Sequence, residues 1–177
     1  MESLTVWVLA AMVTAWLHVG KLVGITPKDV AKAIATASTE KPLPFKDEAD
    51  RRTAALITAV GVFESGYNNQ AKGDCKDKPP GWPGCGKKEN DSVATSFCFM
   101  QVHFPDGVER VKGYTKEELL ADPLACARAG REIMRDSLAA DPKDPLKSYA
   151  GTSSQARRRF ELAQKLFKDV PYTIRCD

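Results

Sequence analysis

Histidine is scarce in this 177-residue chain, which holds only His18 and His103. None of the five cysteines (Cys75, Cys85, Cys98, Cys126 and Cys176) stands in a C-x-x-C pair. A structural zinc site is therefore not expected, and no metal or cofactor enters the reading. A surplus of one charge is missing as well. Twenty-six Lys+Arg face 23 Asp+Glu, a net charge of +3, which supplies no dedicated surface for nucleic acid. The chain has no G-x-S-x-G elbow and no P-loop. Gly61 and Gly66 have P-loop spacing, but Tyr67 occupies the lysine position. Internal repeats and low-complexity tracts are absent too. What is there, 43% hydrophobic and 28% charged residues, is the balance of a globular chain with one core of ordinary size.

Cys75 and Cys85 flank a segment containing Pro79, Pro80, Gly81, Trp82, Pro83 and Gly84, which a disulfide would close. Cys98 and Cys126 offer a second bridge, and Cys176 is then the odd thiol. Five reduced, buried thiols are the alternative; bridging points to an oxidising compartment.

Residues 3–20 carry no charge, and 13 of the 16 positions from 4 to 19 are apolar. A cleaved signal would want a basic start, and Glu2 is acidic. An anchor meets Lys21, Lys28 and Lys32 on its far side, which would hold the bulk of the chain in the cytoplasm. A buried first helix needs only that Thr5, Thr14 and His18 be tolerated or partnered. Residues 1–22 are accordingly expected as a buried apolar helix and residues 23–177 as the main domain. Signal, anchor or membrane contact through residues 3–20 are the alternatives.

Thr26 and Pro27 open a helix over about 27–39, and Pro42 and Pro44 break the chain after it. Leu56, Val60 and Phe63 recur at helical spacing in a second helix over about 47–65, which Gly66 terminates. Residues 67–92 turn to Gly, Pro, Lys and Asp and read as a long loop. Residues 96–104, SFCFMQVHF, read as a short extended or irregular buried segment. Thr115 and Glu118 form a capping box. Asp122 and Pro123 start a longer helix that runs to Pro142. Ser153 or Ser154 caps a last helix through Phe160, Leu162, Leu166 and Phe167. The fold class is mostly α.

Glu64 stands out chemically. It follows the apolar run Ala59-Val60-Gly61-Val62-Phe63, at the edge of a core and at the negative end of a helix. Both placements disfavour its charged form. A carboxyl kept protonated near neutral pH is what general-acid cleavage of a glycosidic bond requires. By position alone an ordinary helix-end glutamate facing solvent is the better reading, since most such glutamates are structural.

Neighbouring segments change the weight. Phe63-Glu64-Ser65-Gly66-Tyr67-Asn68 resembles the glutamate-serine motif of the lytic transglycosylase and goose-type lysozyme families. Phe99-Met100-Gln101-Val102 is similar to their G-L-M-Q-[IV] segment, with Cys98 and Phe99 in place of glycine and leucine. Ser148-Tyr149-Ala150-Gly151 resembles their Y-N-A-G element without its asparagine. The resemblance spans residues 54–167.

The resemblance implies a lysozyme-like fold, with a long loop or small β-hairpin beside a cleft for the glycan strands of bacterial peptidoglycan. It makes Glu64 the acid that protonates the oxygen between N-acetylmuramic acid and N-acetylglucosamine. The same carboxylate then takes a proton from the muramoyl 6-hydroxyl and closes a 1,6-anhydro ring. Ser65, Met100, Gln101 and Tyr149 are the implied substrate-binding residues: Ser65 and Gln101 orient acid or sugar, Met100 floors the cleft, and the Tyr149 hydroxyl approaches the acid. Trp82 is a candidate to stack on a sugar ring. A hydrolytic muramidase with water held by Asp74, Asp91 or Asp106 is the alternative, as is a silent binding or assembly module. The implied setting is the cell envelope or a phage virion, with a larger secretion or phage assembly as potential partner. Arg157, Arg158 and Arg159 read as a solvated helix face.

Overall fold

The computed structural model describes residues 2–19, 26–75 and 94–172. Their order is α1 (Glu2–Val19), α2 (Pro27–Glu40), α3 (Ala49–Ser65), β1 (Lys72–Cys75), β2 (Ala94–Phe97), β3 (Val102–His103), α4 (Lys116–Ala121), α5 (Pro123–Ala140), α6 (Lys147–Ala150) and α7 (Ser153–Asp169). The described chain is mostly helical, with one small antiparallel sheet in the order β1-β2-β3.

Helix α3 is the axis. Thr53, Ala54, Ala55, Leu56, Ile57, Thr58, Ala59, Val60, Gly61 and Val62 are all buried in succession. A helix buried all round must be sheathed by other elements, and α1, α2 and α7 pack along it, with α5 touching it and closing over α2. Small residues make the close approach feasible: a Cβ on Gly61 would come within 3.1 Å of the Phe99 and Tyr67 rings. The helix ends where Gly66 adopts the left-handed conformation at φ +63°. There the Gly66 and Tyr67 amides turn back to the Val62 and Gly61 carbonyls, satisfying groups the helix end leaves unpaired.

On α1, Leu4, Trp7, Val8, Ala11, Met12 and Ala15 are buried. These positions repeat every three or four residues and form one face. Val6, Val13 and Leu17 point outward. Among the described residues no helix is long and apolar enough to cross a membrane. Trp7 Nε1 donates to the Val170 carbonyl at 3.0 Å. Arg51 of α3 donates to the Phe167 carbonyl at 2.5 Å, and its guanidinium lies 5.3 Å from the Trp7 ring, 4.2 Å from Phe167 and 5.2 Å from Tyr172. One cation thus ties α1, α3 and the end of α7 through aromatic faces and helix-end carbonyls.

Two local expectations need correction. Strand β1 lies inside the segment read as a long loop, because Lys-Gly-Asp-Cys has no alternating pattern and becomes a strand only by pairing. Lys72 sits opposite Phe97, and Cys75 opposite Ala94. The N-cap of α7 is Thr152, whose Oγ1 accepts from the Gln155 amide; the Ser153 hydroxyl is instead committed to the Asp144 carboxylate. The capping box at Thr115 and Glu118 and the Asp122 cap of α5 stand where their sequence signals lie.

Leu4, Trp7, Val8 and Met12 each contribute on the order of 1.5–3 kcal/mol by burial. Together they match roughly the whole net stability of an ordinary domain, about 5–15 kcal/mol. Deleting residues 1–22 is therefore expected to give an insoluble or unfolded chain by sedimentation and circular dichroism. A soluble truncation with the full helical signal would show that the α1 contacts are dispensable.

Candidate active site

The buried axis delivers Glu64 and Ser65 to the last turn of α3, where the sheet and the loops after it gather. The Ser65 Oγ donates to the Phe99 carbonyl at 3.0 Å and accepts from the Asn68 amide at 3.0 Å. The Tyr149 hydroxyl donates to the Met100 carbonyl at 2.5 Å. Two side chains, one from α3 and one from α6, therefore hold consecutive carbonyls of the β2–β3 turn. Gln101, next in that turn, donates through Nε2 to the Cys98 carbonyl at 2.9 Å. Its side-chain oxygen lies over Gly73 of β1, where a Cβ would come within 1.9 Å of it. The structure thus joins Ser65, Met100, Gln101 and Tyr149 in one hydrogen-bonded cluster beside Glu64.

Each of these side chains is engaged by the protein itself. Met100 is fully buried and packs on Gly130 of α5, so its side chain offers no surface to a ligand. Ser65 and Tyr149 spend their hydroxyl protons on backbone carbonyls, not on the Glu64 carboxylate. Tyr149 still feels that carboxylate: burial first, and the nearby negative charge second, push its phenol well above the ordinary range.

The turn itself needs unusual backbone. Cys98 has φ +63° and Gln101 φ +49°, a region that costs an ordinary residue roughly 1–2 kcal/mol. Cys98 is where the resembled families carry glycine, the residue that adopts this conformation most readily. Here the position is tied down from two directions. The Cys98 amide donates to the Ala71 carbonyl at 2.9 Å, and its sulfur is bonded to Cys126 of α5. Cys85 lies outside the described residues, as do Trp82 and Asp91, so the Cys75–Cys85 pairing has no structural account.

Glu64 is held by a residue that sequence reasoning missed. Arg159 of α7 donates to Glu64 Oε1 through Nη2 at 2.7 Å and Nε at 3.1 Å. The two side chains are 9% and 17% exposed. Arg157 and Arg158 are exposed, as a solvated face requires, but Arg159 is buried. The signal was present: Arg159 falls in the apolar stripe Ala156, Leu162, Ala163 and Leu166, which faces the core.

Burial raises the Glu64 pKa above the ordinary carboxylate value; Arg159 opposes this by charge and hydrogen bonding, and Asp74 adds to the rise. Asp74, on β1 with φ +42°, is exposed, and its Oδ2 accepts from the Ser96 hydroxyl at 2.8 Å. Asp106 lines a separate cavity of about 580 Å³ with Thr95, Phe104 and Glu117, none of them part of the Glu64 cluster. Among the described residues no group of three or more His, Cys, Asp or Glu is placed to hold a metal.

No family model, curated protein or solved structure matches this chain.

Breaking the Cys98–Cys126 link, which closes a separation of 28 residues, is expected to lower unfolding free energy by about 3–4 kcal/mol. Urea unfolding of the Cys98→Ser/Cys126→Ser double variant measures this. An unchanged midpoint would mean that the turn holds its shape without the bridge.

Proposed function

We propose that this chain cleaves the β-1,4 bond between N-acetylmuramic acid and N-acetylglucosamine in bacterial peptidoglycan, with Glu64 as acid and then base. The observation that carries the reading is the placement of Glu64: a mostly buried carboxyl at the end of a core helix, with its proton affinity raised. It stands beside a backbone turn held by the residues of the three motifs. The helical body with a three-stranded antiparallel sheet next to that carboxyl is compatible with a lysozyme-like fold.

In this reading the protonated Glu64 delivers its proton to the glycosidic oxygen as the bond to C1 breaks. The substrate's own N-acetyl group stabilises the positive charge left at C1. Glu64, now ionised and facing Arg159, takes the proton of the muramoyl 6-hydroxyl, whose oxygen closes on C1 to give a 1,6-anhydro end. One carboxylate serves both steps, unlike the paired carboxylates of most glycosidases. Ser65 and Tyr149 act by shaping the turn that carries Gln101 toward the cleft. The proposed setting is the bacterial envelope or a phage virion.

One observation favours a second reading, hydrolysis by water. Asp74 lies close enough for its charge to act on Glu64, and its exposed carboxylate is oriented by Ser96, as a base that positions water would be.

Purified peptidoglycan incubated with the protein is expected to release fragments with anhydro-muramoyl ends, identified by mass spectrometry. Glu64→Gln should lower the rate by a factor of roughly 10²–10⁴. Reducing ends that disappear in Asp74→Asn would establish the hydrolytic reading instead. Sacculi bound equally by wild type and Glu64→Gln, with no fragments from either, would make the chain a binding module. The raised Glu64 pKa gives the pH dependence: the acid must be protonated, so activity falls as pH rises through a value above the ordinary carboxylate range.

A further inference from the structure

We propose that Arg159 is a positioning residue that occupies Oε1 of Glu64 and leaves Oε2 as the oxygen that gives and takes the proton. The proposal rests on the glycosidase reading and specifies how its single carboxyl is handled. Both guanidinium donors that reach Glu64, Nη2 and Nε, converge on Oε1. Among the described residues none donates to Oε2. The remaining guanidinium nitrogen, Nη1, donates to the Gln155 carbonyl at 3.0 Å, and the guanidinium carbon lies 5.4 Å from the Phe63 ring. Arg159 is therefore fixed from its own helix and from the residue before Glu64.

The other donors nearby are already engaged, Ser65 with the Phe99 carbonyl and Tyr149 with the Met100 carbonyl. Among the described residues, the charged and titratable groups facing Glu64 are Arg159 from α7, Asp74 from β1 and Tyr149 from α6. Arg158, also on α7, lies 5.5 Å from the Phe63 ring. Arg159 is the member of this set in direct contact with the carboxylate.

A single carboxyl that must be acid in one step and base in the next needs balanced proton affinity. Burial and Asp74 hold the proton; Arg159 stabilises the carboxylate once the proton has left. Because the guanidinium is already in place, the charge that develops on Glu64 meets a fixed partner without reorganisation. A lysine at this position offers a point charge without the planar fork and replaces the pair only in part.

The test follows the Glu64 carboxyl directly, by ¹³C NMR titration with the signal assigned through Glu64→Gln, alongside the pH profile of peptidoglycan cleavage. In Arg159→Met the Glu64 titration is expected to move up by a pH unit or more. The alkaline limb of the activity should follow it, with turnover at the optimum reduced by a factor of roughly 10². Arg159→Lys should lie between, and it stands in for the Met variant if that fails to fold. A loss of turnover with unshifted titration and unshifted limb would make Arg159 merely structural and overturn the proposal. If wild type cleaves no wall, the glycosidase reading fails and the positioning role falls with it. Active wild type with an unshifted variant overturns this proposal alone.

Discussion

Ten consecutive residues of α3 are buried, and that constraint organises the rest of the described chain. A surface helix needs one apolar stripe; a helix buried all round needs neighbours on every side. The sequence meets the demand with alanine, threonine and glycine between Leu56, Ile57, Val60 and Val62, so that other helices approach closely. Helix α1 is part of this sheath, which is why its inner positions are buried despite an outer face that is also apolar. Arg51 closes one end of the assembly, reading the carbonyl end of α7 while its flat cation lies against three rings.

The same burial makes the other end chemically unusual. A carboxyl one turn from a core without solvent loses hydration and sits at the unfavourable pole of its helix. Arg159 answers that cost with two hydrogen bonds, but a mostly buried ion pair is weak support for stability, since desolvating both charges consumes much of what their attraction returns. Its place in the apolar stripe of α7 therefore adds little net stability while setting two hydrogen bonds on one oxygen of Glu64. The β2–β3 turn makes a similar exchange. Its positive-φ residues are locally unfavourable, and the disulfide, the Ala71 carbonyl and the Ser65 and Tyr149 hydroxyls hold them in place.

Much of this was legible in the residues. Helix starts at Pro27, Thr115 and Asp122 and the stop at Gly66 follow from side chains that act on the backbone beside them. Strand β1 was not legible, because Gly73 and Asp74 carry no strand signal and are ordered by their pairing with β2. Thr152 displaced the serines as the α7 cap because Ser153 finds a carboxylate from a separate loop. Arg159 was hidden inside a basic run whose members look alike until the helix assigns them to faces.

Sequence alone determined the mostly helical class, the helix punctuation and the singling out of Glu64, because each rests on interactions within a few residues. Tertiary structure alone decided that Arg159 is the partner of Glu64, that Met100 is buried against Gly130 and that the Ser65 and Tyr149 hydroxyls serve backbone carbonyls. The hydrogen bonds among them join residues 34 to 95 positions apart. Which distant group satisfies a buried donor or charge is settled by packing.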